Sequence, residues 1–225
     1  MQDAAKLVEL AMQAGINAIE SGTRQCDAVA KTYSAQIHGT DAFGGEYTSL
    51  VPMLPSGVGT TTPHLTWNSG PFNHGEATIL ELAGCRMRYH CAMSRTVHLG
   101  PPPPRMAEVA DVTVDALNIA IEAAKPGVTS EEVHQMWNTY VKRYGIEKDS
   151  RMGYSTGLNY PPDWGEHTLS IRPGDKTILQ PGMTLHVIPG IWLDNWGIEI
   201  SETIHITDQG AMKFYDFPQH LVVKD

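Results

Sequence analysis

The sequence predicts an α+β domain of two similar halves, each a helical hairpin followed by strands around a curved sheet. Three observations predict it. A helix–Gly–helix pattern occurs twice, strand-like segments follow each copy, and a four-proline run, Pro101 to Pro104, separates the copies. A chain of 225 residues with 41% hydrophobic content suits one compact domain. The reading therefore takes 1–225 as one domain with halves near 1–100 and 105–225.

The first helix is expected over 4–20, where Val8, Ala11, Met12 and the stretch to Ile19 keep helical spacing, and it stops at Ser21-Gly22. A second helix follows over 25–37, with Thr23 or Asp27 as its cap. Strand signals come next at 50–54, 77–83 and 89–99. The proline run cannot form helix interior and reads as a stiff extended linker. The third helix, 106–124, ends at Lys125-Pro126-Gly127. Thr129 and Glu132 then have capping-box spacing and open a fourth helix through Val141. Strands are expected at 176–179, 184–188, 191–193 and 198–206. Laying Gly22 over Gly127 superposes the two copies as a weak internal repeat. The interface between such halves is the expected place for an active site.

Composition narrows the function. A formal charge of −9 leaves no basic surface for nucleic acid. No run approaches the ~20 apolar residues that cross a bilayer, and no signal-peptide pattern opens the chain. The expectation is a cytoplasmic protein with neither a nucleic-acid nor a membrane partner. An odd number of cysteines, Cys26, Cys85 and Cys91, fits a reducing compartment. Cys85 and Cys91 read as buried, inert thiols rather than ligands or nucleophiles.

Three segments, in order, resemble the pita-bread hydrolases, the creatinase and aminopeptidase P group. They are the loop Pro55-Ser56-Gly57 to His64, the strand pair 79–84 and 89–97 with its Ser94-Arg95-Thr96 end, and the turn Pro181-Gly182-Met183 before 184–190. The resemblance spans nearly the whole chain. It implies the pita-bread fold, with two pseudo-symmetric halves around a curved antiparallel sheet, and a homodimer. Metallopeptidases of that group hold two metal ions with five side chains, and the matching positions here are Glu81, Ala92, Tyr154, Ile188 and Ser201. Ala and Ile have no lone pair to give, and phenol and hydroxyl are poor ligands at neutral pH. No metal and no other cofactor is expected, as in creatinase, which also has Ala at the position of Ala92.

The segments 153–166, Glu81 to Cys85 with Arg88 to Cys91, Trp196 to Glu202, and Gly44 to Tyr47 resemble the ectoine hydrolases more closely still. Members of that group carry a further N-terminal domain. This chain reads as starting at the first helix of the catalytic domain, with that domain absent. The implied reaction is metal-free hydrolysis of a C–N bond in a small cyclic amidine that bears a carboxylate. Side chains must then supply acid and base. His64 matches the fold's catalytic histidine and is the expected proton shuttle. Glu81 stands mid-strand in an apolar run, where a carboxylate is costly unless it is used or paired. It is read as anchor, base or nucleophile.

Glu199 and Glu202 are an odd step apart and should face opposite ways. Glu199, in alternation with Gly197 and Ser201, is assigned to the pocket, and Glu202 to a salt bridge or the surface. Tyr154, His186, Glu166, Tyr89 and Trp164 are the expected substrate contacts, with Trp192 and Trp196 as further wall candidates. Arg95 is expected to pair with a carboxylate. Two alternatives stay open: a metal-dependent Xaa-Pro aminopeptidase with a rewired site, and a non-catalytic binding module.

Overall fold

The computed structural model describes all 225 residues. In the first half, α1 (Gln2–Ala18) lies against the hairpin of β1 (Ala77–Arg86) and β2 (Tyr89–Leu99), and α2 (Gln25–His38) packs on α1. In the second, α3 (Pro104–Ala123) and α4 (Ser130–Val141) cover a sheet of short strands. These are β3 (Gly153–Thr156), β4 (Gly165–Ser170), β5 (Thr184–Val187), β8 (Glu202–Thr207) and β9 (Gly210–Lys213), in the order β4-β3-β5-β8-β9, all antiparallel. A separate pair, β6 (Ile191–Trp192) and β7 (Gly197–Ile198), lies between β5 and β8 in the chain. The last strand, β10 (Val222–Lys224), returns to the first half and pairs with β2 in parallel.

Apolar periodicity explains the helix faces. α1 buries Ala4, Leu7, Val8, Ala11 and Met12, a stripe at three- and four-residue steps. That stripe reaches β1 closely because Gly84 has no side chain; a Cβ there would collide with the Ala4 carbonyl oxygen. Gly22 and Gly127 occupy the same place in the two helical hairpins. Both have positive φ, +86° and +89°, and both N–H groups donate to an incoming segment, at Phe72 and Leu179 respectively. The capping box of α4 forms as the spacing predicts, Thr129 taking the Glu132 N–H and Glu132 taking the Thr129 N–H.

Several expected details change. α2 has no side-chain cap at all; Asp27 instead pairs with Arg24 at 2.6 Å. Pro104 is not linker but the first residue of α3, where a missing N–H costs nothing. The segments 50–54 and 176–179 make single bridges, Met53 to Glu81 and Ile178 to Thr129, rather than strands. The expected strand 198–206 is broken at 199–201 into β7 and β8. β3, β4, β9 and β10 have no counterpart in the sequence reading.

Each half has its own apolar core. Between them lies a third, smaller cluster of Met53, Ala83, Ala92, Tyr154, Trp164 and Ile188. There β2 meets the 199–203 segment: Ser201 N–H donates to Ser94 O, and Thr203 Oγ1 donates to Ala92 O. The buried Arg95–Glu202 ion pair, 2.8 Å, locks this seam.

Candidate active site

A cleft with a cavity volume of about 120 Å³ opens at that seam, the kind of concave place between two halves where small-molecule sites form. Its walls are Pro63 and His64, Glu81 of β1, Ser150 and Arg151 ahead of β3, Tyr154 of β3, Ile188, Trp192 of β6, and Glu199. It continues past Met53, Thr66, Pro162 and Asp163.

Strand alternation places Glu81. Leu80 and Leu82 turn into the core under α1, so Ile79, Glu81 and Ala83 take the other face, toward the cleft. Glu81 stands opposite Ser94 in the register of β1 and β2. Glu199 arrives from the other half and is pinned by Thr96. Its N–H donates to Thr96 Oγ1 (2.9 Å), and the Thr96 hydroxyl donates back to its carbonyl (2.9 Å). The Ser94 hydroxyl donates to the Glu199 carboxylate at 3.1 Å. His64 sits exposed at the mouth with φ +66°, a left-handed backbone that a non-glycine residue adopts only when its surroundings hold it.

Both carboxyls are buried, Glu81 4% and Glu199 3% exposed. Burial holds the Glu81 carboxyl well above the usual range, and the nearby Glu199 and Asp163 charges add to this while Arg151 opposes it. Burial also pushes Glu199 up to about 7, against the Ser94 hydrogen bond and the Lys148 charge. Burial takes Lys148 down to about 8, with Glu199 acting the other way.

Behind the cleft runs a hydrogen-bonded chain. The Trp164 indole donates to Tyr154 Oη at 2.7 Å. His186 bridges Tyr154 Oη (2.9 Å) and Ser201 Oγ (2.8 Å), and Ser94 N–H donates to the same Ser201 oxygen (2.7 Å). Burial, with Arg151 and Arg95, lowers His186 to about 3. It is therefore a neutral bridge and not a proton carrier at working pH.

Of the expected residues, His64, Glu81, Glu199 and Tyr154 line the cleft together. His186 and Trp164 do not; both are buried behind Tyr154 and set its hydroxyl. Tyr89 and Glu166, the other two expected contacts, stand apart from this group. Tyr89 opens β2 at the far end of the hairpin and is 42% exposed. Glu166 is an exposed residue of β4 that accepts the Leu158 N–H. Trp192 lines the cleft, whereas Trp196 faces another hollow beside Met106. Glu202 is the buried partner of Arg95. Cys85 and Cys91 are buried, free thiols that burial pushes up, Cys85 to about 11.

Sequence reasoning missed Lys148, Arg151 and Asp163. The signal for Arg151 was its place three residues before Tyr154, at the entry to an unrecognised strand. Its guanidinium stacks 4.4 Å from the centre of the Tyr154 ring.

The five positions that resemblance equates with metal ligands do not fit a dinuclear centre. Ala92 and Ile188 are packed apolar residues, Tyr154 Oη is held by Trp164 and His186, and Ser201 Oγ by His186 and Ser94. Only Glu81 offers a free donor. No three His, Cys, Asp or Glu side chains stand together as a metal-holding group.

A sequence profile of metallopeptidase family M24 matches residues 1–208. The chain is 41% identical over 230 residues to the ectoine hydrolase of Halomonas elongata, covering all of this chain and 58% of that protein. It is 26% identical over 217 residues to the Xaa-Pro dipeptidase of Pyrococcus furiosus, covering 95% of this chain and 60% of that one. The solved structure of the prolidase from Pyrococcus furiosus superposes with a TM-score of 0.87 at 26% identity, over 96% of this chain and 63% of its own. The chain thus spans a little under two thirds of the length of these relatives.

Proposed function

The chain belongs to metallopeptidase family M24, and on that premise we propose that it is a metal-independent hydrolase opening a C–N bond of a small cyclic amidine such as ectoine. The observation that carries the reading is the content of the cleft. Two buried carboxyls face one space while the inherited ligand positions are filled by a packed Ala–Tyr–Ile cluster. A cationic amidinium is what such a pair of carboxyls would hold. Burial makes that attraction strong, because little water competes for it.

The chemistry balances with these residues alone. The Glu199 carboxylate takes a proton from water as the oxygen adds to the amidinium carbon. The protonated Glu81 gives its proton to one ring nitrogen, and that C–N bond breaks. Glu81 recovers a proton from the new carbonyl group as the amide forms. Glu199 returns its proton to the freed amine through His64 at the mouth, so both carboxyls end as they began. Arg151 makes no salt bridge and faces the cleft, where it would hold the substrate carboxylate. The product is an N-acylated diamino acid.

The test is turnover of ectoine by the purified chain in excess chelator, with metal content measured on the same sample. The reading expects full activity with no stoichiometric metal, and loss of at least ~100-fold in kcat for Glu81→Gln. Activity that disappears with chelation and returns with added metal would favour the dipeptidase chemistry of the relatives instead. The homodimer and a cytoplasmic location stay part of the proposal, and a sedimentation measurement addresses the first.

A further inference from the structure

The cleft contains two carboxyls that cannot both be ionised cheaply, and their surroundings are not alike. Glu199 receives the Ser94 hydroxyl, whereas the Glu81 side chain receives no hydrogen bond from any protein donor. Lys148 adds to this asymmetry. Its ammonium turns inward, donates to Gly190 O at 2.6 Å, and lies 3.8 Å from the centre of the Trp192 ring. Gly190 O is its only hydrogen-bond acceptor. The same glycine backs directly onto Glu199. A Cβ on Gly190 would come within 2.8 Å of Glu199 Oε1 and 2.6 Å of Trp192 Cζ2. Ammonium, indole and carboxylate are therefore packed around one turn.

We propose that Lys148 is a positioning residue whose charge keeps Glu199 ionised beside a protonated Glu81, so that the two carboxyls divide into base and acid. A buried cation near one member of a carboxyl pair lowers that member's proton affinity, and repulsion leaves the proton on the other. Burial raises the proton affinity of both carboxyls and lowers that of Lys148, and the attraction between Lys148 and Glu199 works against burial at each of them. The charged or titratable groups facing Glu199 are Glu81 from β1, Lys148 and Arg151 from the segment before β3, Tyr154 from β3, and His64 from the mouth loop. Asp163 stands farther along the cleft, beside Glu81. Only Lys148 shares the Gly190 turn. The inference rests on the hydrolase reading for the words base and acid, but the titration does not.

The test is a carboxyl-carbon NMR titration of the chain labelled at glutamate, with Glu81→Gln and Glu199→Gln used for assignment. In the unaltered protein Glu199 should lose its proton at lower pH than Glu81. Lys148→Met should raise the Glu199 midpoint by about one pH unit, leaving roughly tenfold less carboxylate at a fixed acidic pH. Lys148→Arg should restore it. An unmoved Glu199 midpoint in folded Lys148→Met overturns the proposal, as does Lys148→Arg behaving like Lys148→Met. If Lys148→Met does not fold, reciprocity supplies the other arm: Glu199→Gln should lower the Lys148 ammonium midpoint, and no change there overturns it equally. With ectoine as substrate, Lys148→Met should move the acid limb of kcat/KM upward by the same unit. If the unaltered chain does not turn over ectoine, the hydrolase reading fails while the titration still decides the role of Lys148.

Discussion

Glu199→Gln should change how stability depends on pH, and the structure fixes both sign and size. The group has an ordinary value of 4.5 and is held near 7 in the fold by burial. Between those limits the native chain keeps a proton that the unfolded chain has given up. A raised acid contributes stability that is fully present below 4.5, falls across the window, and is gone once the folded group ionises near 7. At about 1.4 kcal/mol per pH unit the loss is roughly 3 kcal/mol. Buried histidines, His186, His90 and His134, slope the other way in the same window. His186 and His90 are lowered to about 3 and about 4, so their contribution grows as pH rises toward 6.5. Lys148, at about 8, stays charged through most of the window and adds slope only toward its top, earlier in the glutamine variant because Glu199 no longer supports its charge.

The informative quantity is therefore the difference between Glu199→Gln and the unaltered chain, in which the histidines cancel. Urea unfolding at pH 4.5, 5.5, 6.5 and 7.5 should show the glutamine variant gaining relative stability between pH 4.5 and about pH 7, by roughly 3 kcal/mol. Glutamine keeps an acceptor for the Ser94 hydroxyl, so the comparison does not strand that donor. A difference that stays flat across the window would refute the claim that Glu199 is protonated in the fold at mildly acidic pH.

Two further outcomes follow from the packing. Arg95→Met should cost about 3–5 kcal/mol in urea unfolding, because it leaves the fully buried Glu202 without a counter-charge and removes donors from Ser94, Ser201, Phe217 and Pro218 carbonyls. Adding Glu202→Gln should recover part of that. Gly84→Ala should cost more than ~2 kcal/mol, since α1 must back away from β1 to admit a methyl group against the Ala4 carbonyl; an unchanged midpoint would mean the approach is not tight.

The helices were legible because their signals are local. The α1 stripe, the glycines that punctuate each hairpin and the Thr129–Glu132 box act within a few residues of one another. β1 and β2 were legible as long apolar runs. β3 and β4 were not, since 153–170 is interrupted by Gly and Pro, the two strands pair with a register shift, and β3 takes its other partner from β5. The same limit explains the site. Glu81 stood out as a charge in an apolar strand, and odd spacing separated Glu199 from Glu202. Lys148 and Arg151 occupy a charged loop that looks like any solvated one.

Sequence alone settled the two helical hairpins, the central β-hairpin with its acidic residue, and the replacement of ligand-type side chains at four family positions. Those properties depend on side-chain chemistry and on repeats of two or 3.6 residues, which are written along the chain. Only the tertiary structure decided that Trp164 and His186 stand behind Tyr154 rather than in the cleft, that Tyr89 and Glu166 lie outside it, and that Lys148 shares a turn with Glu199. Each of these depends on how the halves meet. Burial and electrostatic coupling are set by distances in space between residues that no local pattern connects.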